Sequence, residues 1–170
     1  MSKAVMLSIR PKWVEKIANG EKTIEVRKTR PKLDTPFKCY IYCTQSGVAL
    51  GAWGKHGKVI GEFTCDRIFP INVFDNGGIQ NWFFEHMERS CLTYEGLADY
   101  IGNGRTGHCW HISNLKIYDK PRELREFKKN NRDCFCADLG LAKRDCPDCK
   151  NSGCFLERPP QSWCYVEAME

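Results

Sequence analysis

The sequence predicts an α+β fold, a mixed β-barrel of about six strands with short peripheral helices. Three observations predict it. Apolar runs with period-two alternation recur along the chain. The segments between most of them are too short, or too broken by glycine, to be long crossover helices. A polar cysteine-rich stretch at 133–155 then reads as a small zinc-stabilised insert within a single domain spanning 1–170.

The elements follow in order. Ala4–Ile9 is an apolar run that reads as a strand. Pro11 suits a first helical position, where its missing N–H has no partner to lose. Val14, Ile17 and Ala18 share a helical face, and Gly20 stops the helix in a left-handed cap. Lys22–Val26 is a second strand, and Arg30-Pro31 ends it. Phe37–Thr44 alternates as a third, Gln45–Gly57 is a glycine-rich loop, and Val59–Phe69 is a long strand. Ile79–Arg89 reads as an amphipathic helix. Thr93 caps a second short helix that Gly102 stops. Cys109–Tyr118 is a strand, Pro121–Lys129 is weakly helical, and Gln161–Glu167 is a closing strand.

Strand parity makes the second strand informative. Thr23, Glu25 and Arg27 share one face, and Lys22 shares the other with Ile24 and Val26. If the apolar face is inward, Lys22 sits at the mouth of the core and is partly desolvated, beside a Glu25 held by Arg27. On spacing alone, the same residues fit a strand end with solvated charges.

Gly20-Glu21-Lys22-Thr23-Ile24-Glu25-Val26-Arg27 resembles the G-x-K-x-x-E-x-R signature of ASCH domains, small β-barrels related to PUA domains. SIRPKW (8–13), GKVIGEF (57–63), CWHISNLKIYDKP (109–121) and RPPQSWCYVE (158–167) are similar to segments of small ASCH proteins of the phage and prophage type. The resemblance covers nearly the whole chain except the cysteine-rich part. It implies a PUA-like barrel with a cleft for RNA or a nucleotide around the signature. Some small members hydrolyse the acetyl amide of N4-acetylcytidine with a lysine, a threonine and a glutamate. Lys22 matches that lysine. Glu25 stands where the threonine would be, and Glu88, in Glu88-Arg-Ser-Cys-Leu-Thr, matches the glutamate.

Two functions are therefore expected. In a binding module, Arg10, Lys12, Lys22 and Arg27 contact phosphates beside Glu25, and Trp53, Trp110 or Trp163 stacks on a base. In a small amidohydrolase, Lys22 is base or nucleophile, Glu25 or Glu88 moves the proton, and Arg27 steadies the oxyanion. His56, His86, His108 and His111 form no Ser-His-Asp or His-x-x-x-His arrangement and read as ordinary polar residues.

Charge favours a phosphate-bearing partner. Net charge is +5 over 170 residues, but residues 1–32 carry nine Lys and Arg against three Glu. That is an excess of +6, which leaves −1 for the remainder, so the basic field lies in the opening segment. No run of about eighteen apolar residues occurs, and the opening residues are too short an apolar run for a secretory signal. The expectation is a soluble cytoplasmic protein without a membrane role.

There are eleven cysteines. Cys39, Cys43, Cys65, Cys91, Cys109 and Cys164 lie in or beside apolar runs and read as reduced core residues. The other five lie together. Cys146-Pro-Asp-Cys149 is a C-x-x-C knuckle, with Cys154 after it and Cys134 and Cys136 before it. Four of these five at such spacing make a closed, structural tetrahedral Zn²⁺ site. Cys134 and Cys136 compete for one position. The insert's Lys143, Arg144 and Lys150 face four Asp, a balance that suits a staple better than a phosphate grip.

Overall fold

A computed structural model of the chain describes residues 2–45, 56–74, 84, 86–129 and 155–169. In these residues six strands form one mixed sheet: β1 (Lys3–Ile9), β2 (Ile24–Arg27), β3 (Phe37–Cys43), β4 (Lys58–Asn72), β5 (Thr106–Arg122) and β6 (Trp163–Glu167), ordered β2-β5-β4-β3-β1-β6. The helices are α1 (Pro11–Ala18), α2 (Met87–Ser90) and α3 (Tyr94–Ile101), with a 3₁₀ turn at Leu124–Glu126. The α+β class and the six strands are as the alternation predicts. The sheet, however, is not closed into a barrel, and β2 and β6 are its ends. Lys129 bridges Val166 on the side of β6 away from β1, so a short segment covers that edge.

The chain divides into two compact units: Met1–Pro11, Lys38–Glu62 and Ile117–Glu170 in one, and Lys12–Phe37 and Phe63–Lys116 in the other. The expected single domain thus has two clusters of internal contact, and β4 and β5 contribute residues to both. In the first unit β1 lies between parallel β3 and antiparallel β6, with Val5 opposite Cys39 and Tyr165. Its core includes Met6, Tyr40, Val59, Phe127, Leu156 and Val166. The Tyr40 and Phe127 rings meet edge to face, with centroids 4.8 Å apart.

In the second unit β2 pairs antiparallel with β5. Ile24, Val26, Ile71, Leu97, Ile101 and Cys109 form its core. Thr93 caps α3 as predicted, accepting the Gly96 N–H at 3.1 Å, and Gly102 ends the helix at φ +94°. Leu97 and Ile101 give α3 its buried face.

Three boundaries differ from expectation. β5 continues to Arg122, and only one 3₁₀ turn follows before Lys128 and Lys129 enter bridges, so 121–129 is not a helix. Pairing with Phe155 and Val166, distant in sequence, overrides a weak local preference there. β2 begins at Ile24 rather than Lys22. Most of the helix expected at 79–89 lies outside the described residues, and within them α2 spans only Met87–Ser90. No helix among the described residues is long and apolar enough to cross a membrane.

Candidate functional site

The site is built on the turn between α1 and β2. Pro11 opens α1, and Val14 and Ile17 bury one face of it. Asn19, Gly20 and Lys22 then donate backbone N–H groups to Glu15, Ile17 and Lys16 carbonyls, and Gly20 takes φ +83°. That conformation is open to glycine at little cost. The Glu21 carboxylate ties the turn to Lys16 Nζ at 2.7 Å. The chain leaves this turn with Lys22 just ahead of the strand.

Lys22 is 2% exposed, and Glu25 and Arg27 are each 6% exposed. The Lys22 ammonium donates to the Ile24 carbonyl at 2.9 Å and to the Ser90 carbonyl at 2.7 Å. It also lies 3.4 Å from Glu25 Oε2. Glu25 Oε1 is 3.0 Å from Arg27 Nε. One carboxylate therefore bridges two cations, a buried cluster with a net charge of +1.

This arrangement corrects the parity argument. Both faces of β2 are buried, so the Glu25 and Arg27 face is not a solvated one. Lys22 precedes the regular strand, and strand parity does not govern it. Its ammonium therefore meets Glu25, across the predicted face boundary.

Ser90 was not a sequence candidate. α2 ends there because Cys91 adopts φ +55° and folds its N–H back onto the Met87 and Glu88 carbonyls. The Ser90 carbonyl is thereby left for Lys22, and the Arg89 carbonyl accepts the Thr23 N–H at 2.9 Å. No local pattern marks such a contact, because its partners are sixty-eight positions apart.

The other candidates are distributed as follows. Glu88 is exposed on α2, and it is the helix's terminal carbonyls that reach Lys22 and Thr23. Trp110 lies opposite Glu25 in the β2–β5 register but is fully buried, edge-on to Phe37 with centroids 5.8 Å apart. It is a core residue and not a stacking surface. Trp163 belongs to the first unit, where it packs edge-on to Tyr165. Arg10 and Lys12 are exposed, the former in the first unit and the latter in the second. Trp53 and the five metal candidates Cys134, Cys136, Cys146, Cys149 and Cys154 lie outside the described residues. Among the described residues no group of three or more His, Cys, Asp or Glu is placed to hold a metal.

Trp13 is a residue the sequence reading passed over. It is half-buried on α1, with Lys12 Nζ 4.3 Å and Lys22 Nζ 5.3 Å from its ring centroid. Its position directly after SIRPK was the available signal.

Around the cluster, burial sets the protonation of several groups. Burial pushes the Cys109 thiol up to about 12. Burial and then the nearby Arg30 charge hold His108, opposite Arg27 in the register, below the ordinary histidine range. His111 Nδ1 lies 2.6 Å from Asp66 Oδ1. Burial would raise Asp66, but the bond and electrostatic attraction of His111, with the Asp66 backbone N–H and the Arg67 charge, together outweigh it and keep the carboxyl below its usual range. The six cysteines read as core residues are free thiols, with Cys91 and Cys164 only half-buried.

Residues 7–68 match the family model of the ASCH domain. No curated protein matches the sequence. Among solved structures, the chain is similar to an ASCH protein from Zymomonas mobilis, at 17% identity and a TM-score of 0.61 over 96% of this chain and 87% of that one. A point variant of that protein gives a TM-score of 0.60 at 17% identity, covering 98% of this chain and 91% of the variant. At this identity the likeness shows the fold. The family match is confined to residues 7–68, which include the signature segment, and the solved structures share the fold.

Proposed function

We propose that the chain binds RNA or a nucleotide-like ligand through the surface around the Lys22–Glu25–Arg27 cluster. The carrying observation is the burial of three charged side chains on the segment that matches the ASCH family. Buried ion clusters are poor stabilisers, because desolvation offsets most of the Coulomb gain. A cluster retained at that cost reads as a functional site. The geometry also divides the labour. Lys22 is fixed by two carbonyl hydrogen bonds and an ion pair with Glu25, and Arg27 Nε forms an ion pair with the same carboxylate. Phosphate contacts therefore fall to exposed Lys12 and Lys28 of the same unit, while the cluster contributes a fixed positive field.

The test is fluorescence anisotropy with a labelled single-stranded RNA across a salt series. Binding should weaken as salt rises. Lys12→Ala should reduce the slope of log K against log salt by about 0.7, the value for one phosphate contact on a single strand. No binding at low salt would sink the reading.

The contact between Lys22 and Glu25 favours a second reading, hydrolysis of N4-acylated cytidine. It requires Lys22 to give up a proton, with Glu25 Oε2 at 3.4 Å as the neighbouring carboxylate, so that its nitrogen can act as base or nucleophile. Release of free cytidine by wild type, followed by chromatography and lost in Lys22→Ala, would establish it. No turnover by folded protein would remove that substrate. The spacing of the five clustered cysteines further supports a structural zinc held by four of them.

A further inference from the structure

We propose that Trp13 is the platform on which this site stacks a nucleobase, and that Lys12 is the group the base displaces. The proposal rests on the binding reading above and names the residue that would meet the base. Lys12 and Lys22 both lie over the Trp13 ring, but they are held differently. Lys22 is buried and fixed by the Ile24 and Ser90 carbonyls and by Glu25. Lys12 is exposed, at the end of a flexible stem. One cation is built into the site, and the other can leave.

The ligand chemistry follows from that difference. An exposed ammonium on an indole face is weakly held, while a base stacked there is held more strongly. Displaced from the ring, Lys12 remains beside it and can meet a phosphate. The Lys22 charge stays at the ring and favours an anionic partner over a cationic one. A flat heterocycle joined to a phosphate satisfies all three groups, either as a free nucleotide or as one residue of a single strand. Trp110 cannot serve, because it is fully buried. Tyr100 carries Lys28 at 5.3 Å, whereas the Trp13 ring has the buried Lys22 beside it.

The experiment uses the full chain with AMP, adenosine and a short labelled oligoadenylate. Tryptophan emission reports stacking, and anisotropy reports binding of the strand. Wild type should show quenching with AMP, and Trp13→Phe should lose that quenching while still folding. Trp13→Ala should weaken oligoadenylate binding about tenfold or more. Lys12→Ala should keep the quenching and lose part of the salt dependence. Quenching by adenosine that is as strong as by AMP but salt-independent would support stacking, with the phosphate supplying the salt-dependent part. Binding by AMP alone would assign the site to a free nucleotide, and binding by the strand alone to RNA, with Trp13 required in each case. Equal quenching in Trp13→Phe and wild type, or Trp13→Ala binding the strand within twofold of wild type, would overturn the platform and leave the binding reading intact. No binding of any of the three probes by wild type would overturn both.

Discussion

The Lys22 ammonium lies 2.7 Å from the carbonyl oxygen of Ser90, sixty-eight positions away in the chain. This bond joins the end of α2 to the turn before β2, and it decides what Lys22 can do. An amine so placed is a fixed positive charge under the site. It becomes a nucleophile only after losing a proton, and the carboxylate beside it is Glu25 Oε2 at 3.4 Å.

The buried cluster carries +1, which predicts unequal effects of neutralising its members. Lys22→Met leaves a balanced Glu25–Arg27 pair and two carbonyls without their donor, at a cost of roughly 2–3 kcal/mol. Glu25→Gln leaves two buried cations facing a neutral amide, at about 3–5 kcal/mol. Urea unfolding should rank Glu25→Gln as the more damaging change. The reverse order would mean that the carbonyl contacts, and not the ion pairs, dominate the site.

Burial, with Asp66 adding to it, pushes the Cys65 thiol up to about 12, and burial does the same for Cys109. Both are held neutral in the fold beyond the ordinary value of 9.0. For a group raised in the folded state, the stabilisation is complete below the unfolded value and is lost as pH rises through the folded one. Stability should therefore fall between about pH 9 and 12, and Cys109→Ala should flatten that limb in unfolding curves recorded across this range. In the native protein at neutral pH, alkylation followed by mass spectrometry should label half-buried Cys91 well before Cys65 or Cys109.

Gly107 on β5 packs where a Cβ would run into Ile101 Cδ1 and approach Ile71 Cγ2 at 3.2 Å. Both neighbours belong to the second unit's core. Gly107→Ala should cost about 1–3 kcal/mol through overpacking, read as a lower denaturation midpoint with an unchanged urea slope. Truncating Ile101 to Val in the same chain should recover part of the loss. Simple additivity of the two losses would refute a direct clash.

The cysteine spacing predicts about one zinc per chain by elemental analysis. A strong chelator should release it and lower the thermal midpoint, because metal binding supplies folding free energy to a segment of polar sequence. Cys146→Ser should lose the metal. Cys134→Ser and Cys136→Ser, tested separately, should show which of the two competes successfully. Protein purified without bound metal that melts unchanged would remove the staple.

Much of the scaffold was legible along the chain. The α1 start at Pro11, the stop at Gly20, and the Thr93 and Gly102 ends of α3 are set by single residues with strong backbone preferences, and all four appear in the structure. The 121–129 segment was not legible, because its bridges to Phe155 and Val166 depend on distant partners. Parity also failed at Lys22, since alternation applies only inside a paired strand and β2 begins two residues later.

By itself, the sequence determined the α+β class and the six strands, and it singled out the G-x-K-x-x-E-x-R segment, since alternation, capping and motif spacing are local. Only the tertiary structure decided that the charged face of β2 is buried, that Ser90 pins Lys22, that Trp110 beside Glu25 is fully buried, and that the half-buried Trp13 ring lies against Lys22. Burial and long-range contact are sums over elements that meet in space. A residue's own neighbours in the chain carry little of that information, so a charge pattern that reads as solvated becomes, once α2 and β5 are in place, a buried ion cluster.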